Sequence, residues 1–164
     1  MRQGSVDDFQ TPENALDILI PYLKKEWKIW ECASGNGNLI KGFNDRGYIY
    51  IISSDILMEE KEDFLKWQPD EFDCIVTNPP YSLKEKFLER CYQLKKPFAL
   101  LLPLTALESE KRQKLFREYG LQLIIPNKRI NFETPSKKGS GSWFATAWFT
   151  WGLNLPKDLM FVKC

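Results

Sequence analysis

The residues with the most specific chemistry are Asn78-Pro79-Pro80-Tyr81. Two consecutive prolines fix φ, and Asn78, standing before Pro79, is pushed into an extended conformation. The product is a stiff turn with few backbone donors, an amide at one end and a phenol ring at the other. Such a turn suits a flat group bearing an NH2. The Asn78 amide oxygen and the Pro79 carbonyl can accept its two N–H bonds while Tyr81 stacks on the adjacent π-face. A plain Pro-Pro turn closing a core strand accounts for the same four residues, and the tetrapeptide alone does not choose.

Two further groups could hold a ligand beside it. Gly35-Asn36-Gly37 falls between a predicted strand and a predicted helix, where glycines let the backbone approach a ligand and the helix offers free N–H groups. The loop lacks the third glycine of a dinucleotide fingerprint and the Gly-Lys-Ser/Thr of a P-loop, which disfavours NAD and nucleoside triphosphates. Asp55 closes the second predicted strand. It can accept both hydroxyls of a ribose or cap the following turn. The sequence contains no histidine, so Ser-His-Asp, Cys-His and His-metal chemistries are excluded.

The elements that must position these groups alternate. Thr11 as N-cap and Pro12 at the first helical position predict a helix whose stripe is Ala15, Leu16, Leu19, Ile20 and Leu23, kinked or ended near Pro21. Strands are predicted over 27–32, 48–53, 74–76, 97–103, 121–125 and 143–151, with helices over about 38–47, 83–94 and 108–119. A short polar turn carries Asp63-Phe64-Leu65. This alternation predicts a doubly wound, mostly parallel α/β sheet. The last two strands have no helix between them and read as an antiparallel hairpin at the sheet's edge. The glycine loop, Asp55, Asp63-Phe64 and the Asn78 turn then all fall at strand carboxyl ends, where open α/β sheets bind ligands.

With those groups in order, the chain resembles the class I S-adenosylmethionine-dependent methyltransferases, in particular the type that modifies the N6 amine of adenine in DNA. The resemblance runs over about residues 9–155. It rests on Asn78-Pro79-Pro80-Tyr81, then Glu31-Cys32-Ala33-Ser34-Gly35-Asn36-Gly37, then Phe9-Gln10-Thr11-Pro12. It implies a seven-stranded Rossmann-like sheet and S-adenosyl-L-methionine as cofactor. It also implies a role for each matching residue. Glu31 and the Ala33, Ser34, Gly35 and Gly37 backbone would hold the methionine moiety, with Thr11 and Pro12 near its carboxylate. Asp55 would bind the ribose, with Ile56 on the adenine, Asp63 on the adenine amine and Phe64 against the ring. Asn78, Pro79 and Pro80 would carry the catalytic corner, with Tyr81 stacking on the target base and Phe132 clamping its other face. An aromatic amine is a poor nucleophile, because its lone pair is delocalised. Two acceptors drawing on its hydrogens favour a pyramidal nitrogen, and no histidine base is needed because the methylated amine becomes acidic and sheds its proton afterwards.

A base buried in a duplex must flip out to reach such a pocket. Lys128, Arg129, Lys137 and Lys138, together with Lys84 and Lys86, are the candidates for backbone phosphates, although solvated lysines need no such role. Trp143, Trp148 and Trp151 read as strand packing. DNA is the expected partner and RNA the alternative. Related enzymes that methylate a protein glutamine share the tetrapeptide, and a non-catalytic subunit is the reading from another class. DNA enzymes of this type usually carry a separate target-recognition region. The gap from Asp63 to Asp73 is too short for one, so sequence specificity is expected to be absent, minimal, or supplied by a partner subunit or a homodimer.

Composition agrees with a single domain over residues 1–164. The chain has 43% hydrophobic and 27% charged residues and a net charge of +1, so any anion-binding surface must be local. Cys32, Cys74, Cys91 and Cys164 form no CxxC pair, the start lacks an apolar leader and no stretch reaches membrane-spanning length. A cytoplasmic, membrane-free protein is expected.

Overall fold

Continuous apolar runs bounded by proline and glycine make the strands at the centre of the molecule. The computed structural model describes residues 11–35, 37–55, 63–132 and 144–164. The strands are β1 (Ile29–Glu31), β2 (Ile51–Ser53), β3 (Cys74–Thr77), β4 (Phe98–Pro103), β5 (Gln122–Pro126), β6 (Thr146–Trp151) and β7 (Leu159–Val162). They form one sheet in the order β2-β1-β3-β4-β6-β5-β7. β2, β1, β3 and β4 are parallel, as are β5 and β7. β6 runs antiparallel to both neighbours. The mostly parallel α/β sheet is therefore as expected.

The hairpin of β5 and β6 is present, but it folds inward. β6 inserts between β4 and β5, and β7 continues the sheet outward. Sequence reading missed β7. Its alternation of Leu159 and Phe161 on the exposed side with Met160 and Val162 on the packed side is only four residues long, and it follows a Pro-Lys-Asp turn.

Two apolar layers sandwich the sheet. On one face Leu39 and Phe43 of α1 (Asn38–Asp45) pack with Leu16 and Leu19 over Ile29, Val76, Leu101 and Trp148. On the other, Phe87, Leu88 and Cys91 of α2 (Lys84–Leu94) and Phe116 of α3 (Glu110–Tyr119) cover Ile75, Leu100 and Phe149. The layers are doubly wound, as the alternation requires.

The predicted N-terminal helix is not an α-helix. Two 3-10 helices stand there, Glu13–Leu16 and Ile20–Tyr22. Pro12, in extended conformation, is the N-cap of the first, and Thr11 caps nothing. Pro21 can donate no amide hydrogen, so a continuous ladder is broken where the second segment begins. The apolar stripe still does its packing, since Ala15, Leu16, Leu19 and Leu23 are all buried. Trp148 fixes this segment to the sheet, its indole N–H donating to the Ala15 carbonyl at 3.0 Å. Trp148 is thus a packing residue, as read from the sequence. Trp143 lies outside the described residues. No helix among the described residues is long and apolar enough to cross a membrane.

Candidate functional site

Parallel strands put their carboxyl ends on one edge, and the candidate groups gather there. β1 ends at Glu31 and turns through Ala33, Ser34 and Gly35. Gly35 has φ 55° and Gly37 φ 86°, left-handed values that glycine adopts without a Cβ clash. Gly37 is the N-cap of α1, with its amide donating to the Ser34 carbonyl at 2.9 Å. Asn36 lies outside the described residues.

Asp55, beyond β2, is buried and accepts the Gly35 amide at 2.8 Å through Oδ2. Just before it, the Ser34 amide donates to the Ser54 carbonyl at 3.2 Å, and Ser54 Oγ accepts the Trp30 indole N–H at 2.9 Å. The acid that sequence reading placed beside the glycine turn therefore holds that turn in shape. This contact stands in addition to the ribose contact and the cap weighed from the sequence.

Glu31 joins the two candidate subsites. It is fully buried, and its Oε1 accepts the Ala33 amide at 3.0 Å and the Thr77 hydroxyl. Thr77 is the last residue of β3, and Asn78 follows it. One carboxyl group thus ties the glycine loop to the Asn-Pro-Pro-Tyr turn across neighbouring strands. Burial pushes this carboxyl up to about 8. The bonds from Thr77 and Ala33 pull it down, and the charge of Asp55 adds to the rise. Thr77 had no role in the sequence reading; only the pairing of β1 with β3 brings it to Glu31.

In the turn itself Pro79 is buried, and the Asn78 amide oxygen and Tyr81 phenol oxygen are both buried. Burial raises the Tyr81 hydroxyl well above its ordinary value, so the ring stays a neutral phenol. A 3-10 turn, Tyr81–Leu83, then leads into α2, and Lys84 donates to the Tyr81 carbonyl at 3.2 Å. Burial likewise raises the Cys32, Cys74 and Cys91 thiols, which are inert packing groups.

Because β6 runs backwards, its amino end reaches this same edge. Phe144, just before β6, meets Tyr81 edge-on at 5.7 Å and Phe132 in a stack at 6.2 Å. Phe132 is only 2% exposed, and Phe144 contacts both it and Tyr81. Phe144 is thus an aromatic beside Tyr81. Sequence reading passed over it, although its spacing of four from Trp148 matches the strand's inward face.

The remaining candidates separate. Asp63 Oδ1 accepts the Leu65 amide at 3.0 Å and so caps its own turn. Phe64 is 2% exposed, stacked on Phe87 at 4.6 Å and tilted on Trp30 at 5.2 Å, so its ring faces the core. Thr11 is buried and Pro12 half-buried. Lys128 and Arg129 are exposed just past the carboxyl end of β5, on the same edge as the turn. Ile56, Lys137 and Lys138 lie outside the described residues. A cavity of about 320 Å³ lined by Lys28, Glu71, Asp73 and Lys96 opens instead at the strands' amino edge. Its Lys28–Glu71 pair is closed at 2.7 Å, and none of the candidate residues borders it.

No protein-family model matches the chain, and no curated protein matches it. Solved structures do. A Listeria monocytogenes protein assigned as a class I S-adenosylmethionine-dependent methyltransferase superimposes with a TM-score of 0.64 at 13% identity, over 99% of this chain and 68% of that one. A Pyrococcus horikoshii protein assigned as an RNA methyltransferase gives 0.63 at 16% identity, over 91% and 88%. The chain has the class I methyltransferase fold. A dimethyladenosine transferase of Plasmodium falciparum shares it more loosely, with a TM-score of 0.52 at 13% identity over 87% of this chain and 62% of that one. Likeness at this identity speaks for the methyltransferase fold; activity has to be argued from the site.

Proposed function

We propose that the protein transfers a methyl group from S-adenosyl-L-methionine to the N6 amine of adenine in DNA. The observation that carries this is the Glu31 carboxyl, bonded at once to the glycine loop and to the residue before Asn78. It sets a cofactor-holding turn and an amine-holding turn side by side on one sheet edge.

The residues suit that cofactor. A left-handed glycine turn braced by Asp55, with a buried acid at its root, matches a nucleoside joined to an amino-acid tail. Glu31 and the Ala33–Gly37 backbone would hold the tail, and Asp55 the ribose. When bound, S-adenosylmethionine supplies a methyl group on a positively charged sulfur. Asn78 and the Pro79 carbonyl would accept hydrogen bonds from the two N–H groups of the target amine, orient its nitrogen and draw its lone pair out of the ring toward the methyl group. The acidic methylated nitrogen then sheds one proton to solvent. Tyr81 offers the base an aromatic wall, and Phe144 packs edge-on against that ring. An aromatic wall is of use to a ring and of little use to a side-chain amide, which favours a base over a glutamine. The folds shared with an RNA methyltransferase and a dimethyladenosine transferase make RNA the second substrate to be tried.

The test is transfer of radiolabel from the cofactor to duplex DNA, single-stranded DNA, RNA and a glutamine-bearing protein, followed by nucleoside analysis. Label should appear as N6-methyladenosine or its deoxy form. Asn78→Ala should lower turnover by at least about a hundred-fold while cofactor affinity by calorimetry is retained. Label on the protein instead, or undiminished turnover by the variant, would overturn the assignment.

A further inference from the structure

Three threonines are buried in the strands of the sheet. Two have evident partners. Thr77 donates to Glu31, and Thr150 donates to the Gln122 carbonyl at 2.9 Å. The third, Thr146, is 2% exposed, and its hydroxyl oxygen is buried with no hydrogen-bond partner among the described residues. A buried hydroxyl left so is destabilising, because it has given up its bonds to water without replacement. Valine has the same branched shape and would avoid that penalty, so packing alone does not call for threonine here.

Its place in the fold suggests what the hydroxyl is for. Thr146 opens β6 opposite Pro103, and the Leu104 amide donates to the neighbouring Ala145 carbonyl at 2.9 Å. In β3, Thr77 pairs with Leu100 of β4. Pro103, three residues further, is therefore level with Pro80. Thr146 stands at that level two strands across from the Asn-Pro-Pro-Tyr turn, about 10 Å away at ordinary strand spacing. Alternation along the strand puts its side chain on the face of Trp148, the layer that also contains Phe132 and receives Phe144. A buried hydroxyl thus shares the strand face and the layer of Phe144, the ring that meets Tyr81 edge-on.

We propose that Thr146 is a specificity-determining residue: its hydroxyl donates a hydrogen bond to a ring nitrogen flanking the amine that Asn78 holds. This rests on the methyl-transfer reading above and deepens it. The substrate class it selects is an aminopurine with an accepting nitrogen next to the exocyclic amine. The penalty of the lone hydroxyl in the free protein becomes discrimination when a matching base arrives, because a base without that acceptor leaves the hydroxyl unpaired again.

The experiment compares wild type, Thr146→Val and Thr146→Ser on oligonucleotides carrying adenine, 1-deazaadenine or 7-deazaadenine. Thr146→Val should melt at the same temperature as wild type or higher, bind cofactor equally, and lose about ten-fold or more in kcat/KM on adenine. Thr146→Ser should recover most of that loss. One deaza base should impose a similar loss on wild type and no further loss on Thr146→Val. If Thr146→Val matches wild type on adenine, or loses as much as wild type on both deaza bases, the proposal is wrong while the methyl-transfer reading stands. A lower melting temperature that Thr146→Ser does not restore makes the hydroxyl structural and also overturns it. A wild type that labels no base overturns both.

Discussion

Glu31 decides most at the scale of single residues. Its carboxyl is buried between two donors and pushed up to about 8 from an ordinary 4.5. The folded protein therefore binds this proton more tightly than the unfolded chain. The resulting stability is complete below about pH 4.5 and is lost as the pH climbs toward 8. Glutamine keeps the accepting oxygen and never ionises. The melting temperature of wild type minus that of Glu31→Gln should fall as pH rises from 5 to 8.5. A difference that does not change with pH would show that the carboxyl is already ionised in the folded state. In the proposed function the same group matters again. A cationic amino-acid tail near it favours the carboxylate, so cofactor binding near neutral pH should release a proton.

Among the elements, the approach of α2 to α3 holds the turn that carries Asn78. Arg112, on α3, is buried and donates to the Ala106 carbonyl at 2.6 Å, the Glu108 carbonyl at 3.1 Å and Glu85 Oε1 at 2.7 Å. Glu85 lies in the first turn of α2, four residues after Tyr81. The clamp fixes the 3-10 helix Leu104–Leu107 beyond β4 against the helix leaving the Asn-Pro-Pro-Tyr turn. Arg112→Met keeps the length of the stem and removes three hydrogen bonds, leaving Glu85 with Lys111 at 3.8 Å and the Ser109 hydroxyl at 3.4 Å. It should lower unfolding free energy by about 2–3 kcal/mol in urea. A loss under about 0.5 kcal/mol would mean the arginine's contacts are spectators. Helix α2 was legible because Phe87, Leu88, Cys91 and Leu94 keep one face apolar, and β4 because prolines bound a continuous apolar run. The N-terminal segment was misread for an equally local reason: its stripe has helical spacing, but Pro21 interrupts the backbone ladder without disturbing the stripe.

For the whole molecule, a net charge of +1 gives no global pull on a polyanion, so binding depends on where the cations stand. Lys128 and Arg129 stand past β5 at the same edge as the site. If both meet phosphates, replacing them with glutamine should reduce the slope of log affinity against log salt by about two for duplex DNA. An unchanged slope would return them to ordinary solvated surface. The edge and the middle of the sheet differ in exposure. Phe161 on β7 is 76% exposed, whereas the middle strands β3 and β4 are buried along their whole length.

What the amino-acid order settles alone is local. Two prolines stiffen the turn at Asn78, glycines permit left-handed backbone at 35 and 37, and runs of one polarity set which stretches become strands and helices. These follow from sterics and periodicity within a few residues. Folding in three dimensions decided the rest. The reversal of β6 brought Phe144 and Thr146 to the edge holding Tyr81, and the contact of β1 with β3 gave Glu31 its threonine while burial raised its carboxyl. Neither can be read along the chain, because strand partners are chosen by pairing over long separations and a carboxyl's ionisation is set by everything that excludes water from it.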